Sequence, residues 1–268
     1  MVVGLFLPVA LTTGRLPFCM TSTAAISKSL RTYYAPGRAA ALDMFHARFL
    51  GPGELGFDIG AHVGDRTASF RRLGARAVAV EPQPRLSRLL RLMFHRDPSV
   101  IRIAALIGAE AGTALLRLNT ANPTVATASA DFIAAANGAA GWEGQVWDAE
   151  AVLPVIPLDA LAALYGLPEL VKIDVEGYEA QVLAGLTMTP RSLSFEITTI
   201  QRNVAMACLD RLSALGYRAF NACLGESMSF AHKAPIDARA MAAWIAELPH
   251  HANSGDVYAS LEPRRLLG

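Results

Sequence analysis

The residues with the clearest chemical potential surround a glycine turn early in the chain. In the segment GFDIGAHVGD, an apolar run ends at Asp58. Gly60 and Gly64 follow and precede a predicted helix. Glycine permits a tight turn, and the first turn of a helix has free N–H groups. The next apolar run ends at Glu81, roughly 20 residues after Gly60. In dinucleotide-binding folds, an acid at this position accepts hydrogen bonds from ribose hydroxyls. This combination predicts a nucleoside-containing cofactor.

The details of the turn favour one cofactor over another. Dinucleotide sites usually read G-x-G-x-x-G, whereas this turn reads G-A-H-V-G and has only Gly60 and Gly64. Asp58 stands beside the turn, where its charge would repel a pyrophosphate but would suit a cationic ligand. S-adenosylmethionine carries an ammonium and a sulfonium. The sequence therefore favours S-adenosylmethionine over NAD.

A second group of ionisable residues follows a later apolar run. The segment VKIDVEGYEAQVLAGL places four of them where a predicted strand ends: Lys172, Asp174, Glu176 and Glu179. Asp174 is expected near the reacting atoms, whereas Glu179 could simply cap the following helix. Glu196 lies in the apolar run SLSFEIT, where an acid is costly unless it is paired. It could pair with Lys172 or face the substrate.

Short apolar runs alternate with helical patterns and can position these residues. The predicted strands are 54–59, 77–80, 100–106, 115–118, 152–156, 170–173, 193–197, 217–221 and 256–259. The predicted helices are 38–50, 66–73, 84–94, 158–165, 178–186, 203–215 and 237–247. This alternation predicts an α/β fold whose mainly parallel sheet has helices on both faces. Ligands of such sheets bind beyond the carboxyl ends of the strands.

Composition limits the classes of function. The net charge is +1 and 53% of the residues are hydrophobic, which indicates a large core and no general nucleic-acid binding. Cys19, Cys208 and Cys223 are far apart and form no CxxC pair. This pattern predicts a reduced compartment, taken here as the cytoplasm, and no zinc site.

Several segments together resemble a known family. FDIGAHVGDRT, VAVEPQP, VIPLDAL, VKIDVEGYEAQVLAGL and FEI occur in this order, and a late GDVYA also fits. As a set they resemble the FkbM-type methyltransferases over about residues 54–200. The resemblance implies a Rossmann-like class I methyltransferase fold with a mainly parallel seven-stranded sheet. It also implies S-adenosylmethionine as cofactor and O-methylation of a hydroxyl on a sugar, a glycan or another natural product.

The resemblance also implies roles for individual residues. The cofactor would be bound by Asp58, Gly60, His62, Gly64, Asp65, Glu81 and Asp174, with Glu81 on the ribose and Asp174 near the transferred methyl. A hydroxyl nucleophile needs a base, for which Asp174, His62 and Glu196 are the candidates in that order. A divalent metal could acidify the hydroxyl instead, but no ligand spacing in the sequence indicates one, and no metal ligand is assigned.

The chain divides into a leading segment and one larger domain. Residues 1–53 are expected to form an N-terminal segment with a lid helix, in which Tyr33 and Tyr34 either cover the cofactor or pack the segment onto the sheet. The apolar run 2–11 is too short to span a bilayer, and Met20 is a candidate native start.

Residues 54–268 form the expected methyltransferase domain, and residues 119–150 interrupt it as an insertion that could contact the substrate. Trp142 and Trp147 in that insertion could stack on a sugar or pack in a core. The expected partner is a small-molecule or glycan hydroxyl acceptor. Two other functions remain open: an NAD-dependent oxidoreductase, and a non-catalytic cofactor-binding protein on a methyltransferase fold.

Overall fold

The computed structural model describes residues 21–268, which contain two β-sheets and helices around them. The strands are β1 Leu55–Ile59, β2 Arg76–Val80, β3 Val100–Ile103, β4 Leu106–Ile107, β5 Gly112–Leu118, β6 Ala149–Ile156, β7 Leu170–Ile173, β8 Ser192–Thr198, β9 Ala219–Leu224 and β10 Ser254–Ser260. The α-helices are α1 Thr23–Tyr33, α2 Arg38–His46, α3 Asp65–Arg72, α4 Pro84–Met93, α5 Ala130–Ala136, α6 Leu158–Tyr165, α7 Glu179–Ala184, α8 Arg202–Ala214 and α9 Ala238–Glu247. Short 3-10 helices span Pro123–Val125, His250–Ala252 and Pro263–Leu266.

The main sheet has seven strands in the order β3-β2-β1-β7-β8-β10-β9. The five strands from β3 to β8 run parallel, and β10 is antiparallel to both of its neighbours. This arrangement confirms the predicted Rossmann-like, mainly parallel seven-stranded α/β fold. The chain winds in opposite directions from β1, towards β3 on one side and β8 on the other. The ligand crevice of such sheets lies at this switch point.

Helices cover both faces of the main sheet. Along β2, Val78 and Val80 join an apolar cluster with side chains of α6, α7, α8 and α9. Ala77 and Ala79, which point the other way, join a second cluster with α2, α3 and α4. Because successive side chains of a strand alternate between faces, strands such as β2, β7 and β9 contribute to both clusters. This accounts for the near-continuous apolar runs in the sequence.

The clearest differences from the sequence-based expectation are helix α1 and the strands β4, β5 and β6. Helix α1 was not predicted, because only Ala25 and Ser29 of its residues are buried and they form no extended apolar stripe. Ser22 caps it by accepting a hydrogen bond from Ala25 N at 3.0 Å. Strands β4, β6 and β5 form a separate three-stranded sheet in that order rather than extending the main sheet. Between β5 and β6, Phe132 and Trp142 help form a small apolar core.

Some expectations concern residues that the structure does not describe. The apolar run 2–11, Cys19 and the candidate start at Met20 lie outside residues 21–268. Within the described range, helices are too short or too polar to cross a membrane. Cys208 and Cys223 are free thiols and both are buried.

Candidate active site

The two glycines of the turn after β1 leave room for other parts of the protein. Both have positive φ, +82° at Gly60 and +79° at Gly64. A Cβ on Gly60 would lie 1.8 Å from the carbonyl oxygen of Asp174, so this glycine lets the β1 turn pass against the loop after β7. A Cβ on Gly64 would lie 2.7 Å from Leu90 and 2.9 Å from Phe94, so this glycine lets α3 pack on α4.

Alanine substitutions should distinguish the close backbone approach at Gly60 from the helix packing at Gly64. In Gly60→Ala, the new Cβ clashes with rigid backbone, and alanine must also adopt an unfavourable positive φ. The substitution should therefore lower the free energy of unfolding by about 3 kcal/mol or more. Gly138→Ala is the matched control, since its φ is +76° but nothing lies within 4 Å of the added Cβ. It should cost only about 1 kcal/mol, and Gly64→Ala should fall between them, because flexible side chains can move. Denaturant unfolding measures all three, and equal costs at positions 60 and 138 would refute the close approach.

A cavity of about 380 Å³ opens beyond the carboxyl ends of the central strands. Tyr33 of α1 and residues of the 119–150 segment, including Asn122, Trp142 and Gln145, complete its wall. Six of the predicted site residues line it: Gly60, His62, Asp65, Glu81, Asp174 and Glu196. The structure therefore brings together residues that are widely separated in the sequence.

Asp58 and Gly64 are not among the residues that line the cavity, and their expected place beside the methionine end of the cofactor stays a prediction. The Asp58 side chain is fully buried, and its Oδ2 accepts hydrogen bonds from Thr67 N at 3.0 Å and Thr67 Oγ1 at 2.6 Å. Burial raises the pKa of Asp58, although the bond from Thr67 opposes the rise. These contacts make Asp58 the anchor that holds α3 to the end of β1.

Glu81 lies at the end of β2 and is almost fully buried. Its Oε2 accepts a hydrogen bond from His62 N at 2.8 Å, and its Oε1 accepts one from Gln83 N at 2.7 Å. Burial raises the pKa of Glu81 to about 8, although these two N–H groups oppose the rise. In the ionised form of Glu81, each oxygen retains a second lone pair for a further donor. The two backbone bonds fix this acceptor at the cavity wall.

His62 lies in the turn itself and has an unusual backbone. Its φ of +49° is in the left-handed region, which non-glycine residues seldom occupy. Its ring packs edge-on against Tyr33, with the centroids 5.2 Å apart, and its buried Nε2 has no partner among the described residues. Burial lowers the pKa of the imidazole to about 4, despite the nearby carboxylate of Asp65. The ring is therefore neutral near pH 7.

A network of ion pairs borders the cavity. Asp65 Oδ2 lies 3.1 Å from Arg66 Nη1 and 3.3 Å from Arg38 Nη2, and Glu226 pairs with both arginines. Because its carboxylate is already paired, Asp65 has a structural role in addition to lining the cavity. The Arg38 guanidinium also lies 5.1 Å from the centre of the Tyr33 ring. These contacts connect the end of α1 to the cavity wall.

Tyr33 and Tyr34, which were expected to cover the cofactor or to pack the N-terminal segment onto the sheet, both lie at the cavity or at the turn beside it. Tyr33 lines the cavity, whereas the Tyr34 hydroxyl donates a hydrogen bond to Val63 O at 3.2 Å.

The two tryptophans of the 119–150 segment pack against other side chains of the protein. Trp142 and Trp147 both meet the Phe132 ring edge-on, and Trp147 Nε1 donates to Val125 O at 2.8 Å.

Three carboxylates converge where β7 and β8 end. Oxygens of Asp174, Glu176 and Glu196 all lie within 4.8 Å of one another. Lys172 Nζ donates a hydrogen bond to Asp174 Oδ2. Burial alone would raise the pKa of Asp174, but the charges of Lys172 and Arg66 outweigh it and hold the pKa below its ordinary value. Burial, reinforced by Asp174 and Glu176, raises the pKa of Glu196 well above its ordinary value.

Glu176 was not assigned to the site from the sequence. The only signal was its place two residues after Asp174, which does not reveal where its side chain lies. Glu179, in contrast, is structural: its Oε1 accepts hydrogen bonds from Val175 N at 3.0 Å and Gly177 N at 3.2 Å. It therefore stabilises the loop that presents Asp174 and Glu176.

Comparisons with known proteins add the following findings. A family model described as a methyltransferase FkbM domain matches residues 58–219, more than half of the chain. Among solved structures, a TehB-like SAM-dependent methyltransferase from Corynebacterium glutamicum is 8% identical, with a TM-score of 0.44 over 90% of this chain and 100% of that one. An O-methyltransferase from Bacillus cereus in complex with SAH is 11% identical, with a TM-score of 0.43 over 91% and 94% of the two chains. No curated protein matches the chain.

Proposed function

Because this chain belongs to the FkbM methyltransferase family, we propose that it transfers the methyl group of S-adenosylmethionine to a hydroxyl of a sugar, a glycan or another natural product. The observation that carries the proposal is the cavity at the switch point of the sheet, with Glu81 fixed at one wall and Asp174 at another. The family favours this reaction over the oxidoreductase and the non-catalytic binding protein.

The residues of the cavity fit the cofactor. Glu81 has free lone pairs for the two hydroxyls of a ribose, and its position is fixed by backbone N–H groups. Three buried polar atoms of cavity-lining residues, His62 Nε2, Trp142 Nε1 and Glu196 Oε2, have no partner among the described residues. Buried polar atoms normally have partners, so a bound ligand is the simplest explanation for them. His62, Asp65 and Asp174 would face its cationic methionine end.

The chemistry then divides between the cofactor and the protein. When bound, S-adenosylmethionine supplies a methyl group that its sulfonium has already activated. Asp174 is ionised and lines the cavity. Its carboxylate can therefore accept a hydrogen bond from the substrate hydroxyl and then take up its proton as a general base. His62, whose imidazole is neutral near pH 7, and Glu196, whose pKa burial raises, are weaker candidates for this role. The protein's main contribution is to hold the hydroxyl in position and to exclude water.

The walls of the cavity support a hydroxylated acceptor. Asn122, Gln145, Glu226 and Asn253 contribute polar groups to it, and apolar side chains such as Val125 lie between them. Polar groups placed on an otherwise apolar wall are typical of sites that orient a small molecule. We further propose a small-molecule or glycan partner rather than a nucleic acid, on the near-neutral net charge of +1. A cytoplasmic location is proposed from the free thiols of Cys208 and Cys223.

An acceptor screen tests the reaction. The purified protein is incubated with S-adenosylmethionine labelled in its methyl group and with panels of sugars, glycosides and hydroxylated natural products. The proposal predicts label in at least one hydroxylated acceptor, as an ether that mild base does not release. Transfer confined to amines, carboxylates or RNA would contradict O-methylation while leaving methyl transfer intact.

A further inference from the structure

We propose that Arg38 and Arg66 form a carboxylate site at the cavity wall, and that the methionine carboxylate of the cofactor takes this site by displacing Glu226. In the structure Glu226 occupies it. Its Oε2 lies 2.7 Å from Arg38 Nη2 and 3.0 Å from Arg66 Nη2, and its Oε1 lies 3.1 Å from Arg66 Nη2. Guanidinium groups are well suited to bind carboxylates in this way. The inference rests on the proposed function, because it concerns the cofactor of that reaction.

The charges along the cavity explain why a carboxylate ligand needs this site. Among residues 21–268, Arg66 is the one lysine or arginine that lines the cavity, whereas several acids line it, Asp174 among them. The methionine end of the cofactor carries a carboxylate as well as an ammonium, and acids alone would repel the carboxylate. Arg66 lies in the first turn of α3, directly after the glycine turn, and its Nη1 is 3.1 Å from Asp65 Oδ2. The two side chains thus offer an acid for the ammonium and a guanidinium for the carboxylate.

Glu226 is the member of this ion-pair network that is free to leave. Its side chain is 41% exposed, whereas those of Arg66 and Asp65 are 11% and 4% exposed. It lies in the turn after β9, next to Gly225, which has a φ of +53° and open space around it. The backbone N–H and C=O of Glu226 form no hydrogen bond with another described residue. Its side chain can therefore turn into water and free both arginines without moving a strand or a helix.

Glu226 also leaves part of the hydrogen-bonding capacity of the site unused. Arg38 Nε is buried and has no partner among residues 21–268. Buried N–H groups without an acceptor are unfavourable and normally find one. Arginine binds carboxylates best through two parallel N–H donors, but Glu226 uses only Nη2 of Arg38. A second carboxylate that is not tethered to this turn can exploit the donor that remains.

A purely structural role for Glu226 predicts the opposite effect on binding. In that case Glu226 would only fasten Arg38, the first residue of α2, to Arg66 of α3. Glu226→Gln would then loosen the cavity wall, lower the melting temperature and weaken the binding of any ligand there. If Glu226 instead competes with a ligand carboxylate, the same substitution strengthens binding. The sign of the change in affinity therefore distinguishes the two roles.

Calorimetry with two ligands tests the site without turnover. S-adenosylhomocysteine carries the amino-acid carboxylate, whereas methylthioadenosine keeps the adenosine and the sulfur but has no carboxylate. We expect Glu226→Gln to bind S-adenosylhomocysteine about tenfold more tightly than the wild type does, and methylthioadenosine equally well. Asp97→Asn is the matched control, because it frees Arg71 of the same helix and neither residue lines the cavity. It should change neither affinity.

A double variant shows whether Arg66 is responsible for the gain. Glu226→Gln combined with Arg66→Gln removes one charge of each sign, and it should lose the gain in affinity for S-adenosylhomocysteine. Thermal melting confirms that each variant is folded.

The outcomes distinguish this inference from the proposed function. Three results overturn the carboxylate site and leave the methyltransferase proposal standing: equal or weaker binding of S-adenosylhomocysteine by Glu226→Gln, an equal gain for methylthioadenosine, or a gain that survives in the double variant. If S-adenosylhomocysteine binds neither the wild type nor any variant, the proposed cofactor is wrong and the carboxylate site is wrong with it.

Discussion

Glu81→Gln should weaken the binding of S-adenosylmethionine by about 100-fold. In the wild type both carboxylate oxygens accept backbone hydrogen bonds, from His62 N at 2.8 Å and Gln83 N at 2.7 Å. Glutamine has one oxygen, so its NH₂ group would face one of these N–H donors, and the acceptor for the ribose hydroxyls would be lost. Leaving buried groups unpaired costs about 1–3 kcal/mol, and 2.7 kcal/mol corresponds to about 100-fold in the dissociation constant.

Calorimetry of the folded variant measures this effect. Glu110→Gln is the control, since Glu110 is exposed and does not line the cavity. It should bind the cofactor like the wild type. If Glu81→Gln binds within about threefold of the wild type, Glu81 does not contact the ribose and the assignment of the pocket fails.

The second large effect is expected on turnover. Asp174→Asn keeps the size of the side chain but removes its charge, so it should lower kcat about 10² to 10⁴-fold, the range for a group that manages a proton. The affinity for S-adenosylmethionine should change much less, because Glu81 and the turn at Gly60 remain. Steady-state kinetics with an acceptor found in the screen, together with calorimetry, separate the two quantities.

Lys172 complicates this substitution and also provides its control. Asp174→Asn deprives the buried Lys172 ammonium of its hydrogen-bonded partner and should therefore destabilise the fold. The double variant Lys172→Met with Asp174→Asn removes both charges and should recover stability but not turnover. Asp210→Asn, on an exposed position of α8, should have no effect. Turnover restored in the double variant would show that Asp174 acts only through stability.

The sequence located the parts of the site that follow from strand ends. Gly60, Glu81 and Asp174 each lie directly after a buried parallel strand, and such strands bring their carboxyl ends to one edge of the sheet. Their distance along the chain was therefore no obstacle to predicting that they meet. The order of short apolar runs and helices likewise defined the main sheet before its pairing was known.

Other features of the site could not be read from the sequence, because they depend on tertiary packing. Asp58 Oδ2 is hydrogen-bonded to Thr67, and Gly64 leaves room for Leu90 and Phe94, whereas the expected cofactor contacts of both residues stay predictions. Neither contact can be read from spacing, because both depend on how α3 packs. The converging position of Glu176 was missed for the same reason, since side-chain direction in an irregular loop depends on tertiary contacts. The polar helix α1 had too little buried surface to leave a periodic signal.

The central claim is that the cavity between the Gly60 turn and Glu81 binds S-adenosylmethionine. Calorimetric titration of the wild-type protein with S-adenosylmethionine, S-adenosylhomocysteine and NADH tests it most directly. We expect saturable one-to-one binding of the first two ligands, in the micromolar range or tighter, and no binding of NADH. Binding of NADH without binding of S-adenosylmethionine or S-adenosylhomocysteine would contradict it.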